Sequence, residues 1–99
     1  MASTKDYRDF IIDSLSLLDN ITYKSMMGEY LLYYNGLLFG GIYDDRFLVK
    51  KTDSNKKYHM EEVIPYDKAK TMYLVSDVDN QDLVKDIVLD TCEGLDIKK

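Results

Sequence analysis

The sequence predicts an α+β domain: a helix, a four-stranded antiparallel meander, a short helix, one or two further strands and a C-terminal helix, making a single sheet with flanking helices. Three observations predict it. Apolar residues recur at helical spacing only towards the two ends of the chain. Between Ile21 and Lys50 the period shortens to two. That middle stretch is punctuated by Asn35-Gly36 and Asp44-Asp45, pairs suited to two-residue hairpin turns.

In residues 4–19, Tyr7, Phe10, Ile11, Ser14, Leu15 and Leu18 form one stripe, with Asp6, Asp9 and Asp13 outside it. Ser3 or Thr4 can cap this helix, and Asp19-Asn20 ends it. Ile21 to Met27, Glu29–Tyr34, Leu37–Tyr43 and Arg46–Lys50 read as the consecutive strands, Gly28 breaking the first from the second. Thr52-Asp53-Ser54 suits the start of a short helix reaching His59, and Thr71–Val75 reads as a further strand beyond Pro65. Asp77 or Asp79 caps the last helix, whose stripe is Leu83, Val84, Ile87, Val88 and Leu95. There are no repeats and no interior linker, so residues 1–99 form one domain.

Two-residue turns carry a register, and a register assigns faces. Tyr34 then opposes Leu37, Leu32 opposes Phe39, Tyr43 opposes Arg46 and Gly41 opposes Leu48. One face receives Leu31, Tyr33, Leu38, Gly40, Ile42, Phe47 and Val49, an apolar set suited to the two long helices. The other receives Tyr30, Leu32, Tyr34, Leu37, Phe39, Gly41, Tyr43, Arg46, Leu48 and Lys50. A tyrosine-rich face with two cations has the composition of an interface core. Tyr30, Tyr34, Phe39 and Tyr43 are its expected centre, Arg46 and Lys50 its rim, and a homodimer or another protein partner its expected occupant. Cover from within the chain is the competing expectation, by the short middle helix or by the segment around Ile64-Pro65-Tyr66.

Composition narrows the function. Thirteen Lys and Arg against eighteen Asp and Glu leave a net charge of −5, which argues against strong nucleic-acid binding by this chain alone. Cys92 is the only cysteine and His59 the only histidine, so no thiolate cage or histidine cluster can form. Asp77, Asp79 and Asp82 imitate a calcium loop, but Asp82 stands where glycine is needed and Val88 where the bidentate glutamate is needed. Gly40-Gly41 lies between strands, without the helix N-terminus of a phosphate loop, and reads as a bulge or a tight packing point. No catalytic residue, metal or cofactor is implied. The absence of a long apolar run or a secretory leader gives the expectation of a reduced, cytoplasmic protein away from membranes.

One string is distinctive as a whole. Met26-Met27-Gly28-Glu29-Tyr30-Leu31-Leu32-Tyr33 is followed by Phe39-Gly40-Gly41-Ile42-Tyr43-Asp44-Asp45-Arg46-Phe47-Leu48-Val49-Lys50, then Ile64-Pro65-Tyr66 and Met72-Tyr73-Leu74-Val75. It resembles the N-terminal domain of the bacterial TfoX/Sxy family, regulators linked to natural competence, over about residues 7–95. The matching positions are Met26, Gly28, Tyr30, Phe39, Gly41 and Lys50. The resemblance implies an α+β fold with an antiparallel sheet, no assigned catalytic residues, and a non-enzymatic regulatory or protein-interaction role. Full-length members carry a second, helical domain, so a stand-alone N-terminal domain is the expectation here. The alternative reading is a small-molecule or peptide-binding domain that uses the tyrosine face, with Arg46 and Lys50 as anion anchors.

Overall fold

The computed structural model describes residues 4–26 and 28–97. Helix α1 spans Lys5–Ser14; strands β1 (Ile21–Met26), β2 (Glu29–Tyr34), β3 (Leu37–Ile42) and β4 (Phe47–Val49) follow; a 3-10 turn at Lys56–Tyr58 leads to β5 (Glu61–Val63), β6 (Met72–Leu74) and helix α2 (Gln81–Ile97). All strands join one antiparallel sheet in the order β1-β2-β3-β4-β6-β5, so the predicted meander is present and β6 inserts between β4 and β5.

The helix ends follow from local chemistry. Thr4 caps α1 by accepting a hydrogen bond from the Tyr7 N–H at 3.1 Å, while Ser3 lies outside the described residues. The helix stops earlier than its apolar stripe suggests. Ser14 bonds back to the Phe10 carbonyl, and the N–H groups of Ser16 and Leu18 reach carbonyls three residues back, tightening the chain into turns. For α2 the cap is Asn80, whose Oδ1 accepts from the Leu83 N–H at 3.2 Å, rather than Asp77 or Asp79.

Both predicted hairpin turns are present. Asn35 and Gly36 have φ of 51° and 81°, and Asp44 and Asp45 have 53° and 54°, the left-handed pairs that match strand twist. At the second turn Tyr43 and Arg46 exchange both backbone hydrogen bonds, as the sequence register requires. At the first, Tyr34 opposes Leu37 and Tyr33 opposes Leu38, but then the pairing slips: Leu32 opposes Gly40, Leu31 opposes Gly41 and Tyr30 opposes Ile42. Phe39 is the extra residue of a β-bulge.

That single residue splits each expected face, reversing β2 relative to β4 and the end of β3. Tyr30, Leu32, Phe39, Ile42, Phe47, Val49, Tyr73 and Val75 share one core with Ile11 and Leu15 of α1 and Val84, Ile87, Val88 and Cys92 of α2. The helices therefore cover Tyr30, Leu32 and Phe39 from the expected tyrosine set together with Ile42, Phe47 and Val49 from the Leu31 set, while Leu31, Leu38, Tyr43 and Lys50 fall on the other side. The bulge turns Phe39 inward against Phe47, ring centroids 6.5 Å apart and nearly perpendicular.

The two glycines after the bulge are required by close approach. A Cβ on Gly40 would fall on the Leu48 carbonyl oxygen, and one on Gly41 would lie 2.6 Å from the Tyr30 carbonyl oxygen. Behind β4 the chain is pinned to α2 by a buried polar cluster. Asn55 donates from Nδ2 to the Lys50 carbonyl and to Thr91 Oγ1, both at 2.8 Å, and accepts from the Thr52 N–H at 3.0 Å. The Asn55 N–H donates to Thr52 Oγ1, and Thr91 Oγ1 donates to the Ile87 carbonyl. Every buried polar atom here has a partner, which makes the cluster a fixed strut rather than a weakness.

Candidate interaction face

The face turned away from the helices holds the site. The β1–β2 register places Lys24 opposite Leu31 and Met26 opposite Glu29; the β4–β6 register places Leu48 opposite Leu74. Because side chains alternate, Met26, Leu31, Leu38, Tyr43 and Met72 point to this side. They line a groove of about 890 Å³ that continues under the segment Pro65–Thr71, reaches Leu95 near the end of α2, and is fringed by Lys50, Lys51 and Lys70.

Arg46 secures the segment that forms one wall. Its guanidinium donates from Nε to the Tyr43 carbonyl at 3.2 Å and from Nη2 to the carbonyls of Ile64 and Pro65, both at 3.3 Å. These bonds hold the Ile64-Pro65-Tyr66 segment over the sheet, with the Tyr66 ring 6.0 Å from that of Tyr43. Burial, reinforced by Tyr66, Glu29 and Tyr33, raises the Tyr43 phenol above its ordinary value and keeps it neutral.

The cations differ in availability. Lys51 Nζ lies 2.7 Å from Glu62 Oε1 and 3.3 Å from Thr71 Oγ1, and the bond to Glu62 raises its pKa. Lys50 and Lys70 form no ion pair among the described residues. The groove thus joins an apolar floor to positive charge at its rim. That combination suits an apolar chain segment carrying acidic groups.

The sequence-predicted surface is not brought together. Tyr30 and Phe39 are 7% and 0% exposed and belong to the core under the helices, and Tyr34 packs against that core from the hairpin end. Of the six, only Tyr43 and Lys50 line the groove, and Arg46 bonds to the backbone carbonyls of Tyr43, Ile64 and Pro65. Of the family-motif positions, Met26 lines the groove, Gly28 makes a turn at φ 85°, and Gly41 lets the Tyr43 ring approach the strand. Sequence reasoning missed Leu31, Leu38, Met72 and Lys70 as groove residues. The signal that points to them is the pair Gly40-Gly41, which marks the bulge.

The remaining chemistry-bearing residues stay apart from this face. Cys92 is buried in the α2 core and His59 is an exposed residue at φ 53° ending the 3-10 turn. Among the described residues no group of three His, Cys, Asp or Glu side chains could hold a metal ion, and no helix is long and apolar enough to cross a membrane.

The model of the TfoX N-terminal domain matches residues 13–87. The chain is also 31% identical over 80 residues to an uncharacterised 12.7 kDa protein of the trpE 5′ region of Spirochaeta aurantia, a match spanning 79% of this chain and 70% of that one. The chain belongs to the TfoX N-terminal domain family.

Proposed function

We propose that this protein is a non-enzymatic regulatory module that acts by binding a protein partner in the groove on the face of its sheet opposite the main core. Membership of the TfoX N-terminal domain family supports a regulatory-domain role. The observation that carries the finer reading is the groove: an apolar floor of Leu31, Leu38 and Met72 beside two lysines without ion pairs among the described residues. An apolar sheet face is ordinarily covered, and a second layer from a partner completes it.

The test is capture from the native cell with the whole chain and with Leu38→Glu/Lys70→Glu. A specific protein retained by the parent and lost by the folded double variant is the expected result. Equal retention by both would sink the assignment of the face. The competing reading, a small-molecule site on the same side, predicts a rise of several degrees in melting temperature with one class of metabolite.

A further inference from the structure

The two edges of the sheet are finished differently. The β5 edge is three residues long, carries Glu61 and Glu62, and runs into Pro65, features that discourage strand addition. The β1 edge is six residues long, exposed at every position after Ile21, and pairs with β2 without a bulge or register shift. It has no proline, and Lys24 is its one charge.

Its hydrogen-bonding parity is fixed. The Asn35 N–H donates to the Asn20 carbonyl at 3.1 Å, and Ile21 opposes Tyr34. Alternation along an antiparallel ladder then turns the backbone groups of Thr22, Lys24 and Met26 towards β2 and those of Ile21, Tyr23 and Ser25 outward. Among the described residues no chain segment meets those outward groups.

We propose that β1 pairs antiparallel with β1 of a second copy of this chain, about a two-fold axis at Tyr23. In that register Tyr23 opposes Tyr23 of the second copy and Ile21 opposes Ser25, so each outward-facing residue exchanges both its backbone bonds. Lys24 then lies opposite Thr22. Moving the axis to Lys24 sets like charges face to face, and moving it to Thr22 takes Ser25 out of the strand-to-strand ladder.

The side chain at the axis is already held in place. Tyr23 is 45% exposed, packs edge-on against Tyr30 at 5.9 Å, and has the Arg8 guanidinium 5.0 Å over its ring. An isologous contact of this kind closes on itself and stops at the dimer. It also joins the two sheets into one and sets both groove faces on the same side. The proposal stands independently of what occupies the groove.

Sedimentation of the whole chain from ~10 µM to ~1 mM, a range that spans weak interfaces, reads the association. The weight-average mass is expected to rise from 11.6 kDa towards twice that value. Ser25→Pro removes one outward N–H while leaving the β1–β2 ladder intact, and is expected to stay at 11.6 kDa with an unchanged melting curve. Amide exchange at Tyr23 and Ser25 is expected to slow with concentration by tenfold or more, with Glu62 unaffected. A monomer at ~1 mM, a Ser25→Pro variant that still dimerises, or exchange independent of concentration overturns the proposal. If Ser25→Pro fails to fold, the parent's exchange profile decides alone.

Discussion

Leu31 and Leu32 are neighbours on β2 with opposite surroundings. Leu32 is fully buried between the sheet and the helices, whereas Leu31 is half-buried at the floor of an open groove. The same contrast runs through the molecule. The helix face carries the main core, and the other face buries Tyr43 and Leu48 while leaving Leu31, Leu38 and Met72 half-buried beside positive charge. A side-chain period of two makes the two faces interchangeable on paper, and one inserted residue, Phe39, decides between them.

The comparison breaks most visibly at Phe39. Phe39→Ala removes a fully buried ring stacked edge-on against Phe47, and is expected to cost about 3–5 kcal/mol in a denaturant melt. Its neighbour Leu38, on the groove side, is expected to cost ~1 kcal/mol or less when cut to alanine. Equal losses would mean that the bulge is misplaced. The strut behind β4 comes next. Asn55→Ala leaves the Thr52 N–H and the Lys50 carbonyl without their buried partner and is expected to cost about 1–3 kcal/mol by thermal unfolding. Gly36→Val at φ 81° costs a similar ~1–3 kcal/mol through backbone strain, though no neighbouring atom blocks the side chain.

These positions also show what was legible in the amino-acid order. Asn35-Gly36 and Asp44-Asp45 announce their turns because left-handed pairs favour few residues, and both helices announce themselves by apolar spacing. The bulge at Phe39 is written only as Gly40-Gly41, a pair that marks close approach without saying which strand gains a residue. The β3–β4 register was therefore legible along the whole hairpin, whereas the β2–β3 register was legible at the turn and lost beyond Leu38, and the expected tyrosine surface was lost with it. The segment from Ile64 to Thr71 has no periodicity to read. Its position depends on the long-range bonds from Arg46, which no local pattern encodes.

Smaller effects sharpen the picture. Burial and a hydrogen bond from the Tyr58 hydroxyl to Asp90, with Asp86 nearby, push that phenol well above its ordinary value of 10.0. The native state therefore holds this proton more tightly than the unfolded chain does. Its contribution to stability is fully present below pH ~10 and falls as pH rises towards the native pKa. Absorbance titration of tyrosinate is expected to show a late-ionising group that Tyr58→Phe removes; an unchanged curve would contradict the contact. On the groove side, Lys70→Glu is expected to shift stability by no more than ~0.5 kcal/mol while weakening partner capture.

The most direct test of the two-face account compares adjacent substitutions on β2, Leu31→Lys and Leu32→Lys, by circular dichroism and urea melts. Leu32→Lys buries an unpaired ammonium in the core and is expected to abolish cooperative folding. Leu31→Lys places the same group at the groove, where its stem covers apolar surface and its head reaches water, and is expected to fold with a loss of about 1 kcal/mol. A folded Leu32→Lys beside an unfolded Leu31→Lys would contradict the account, because it would put the core on the other side of the sheet.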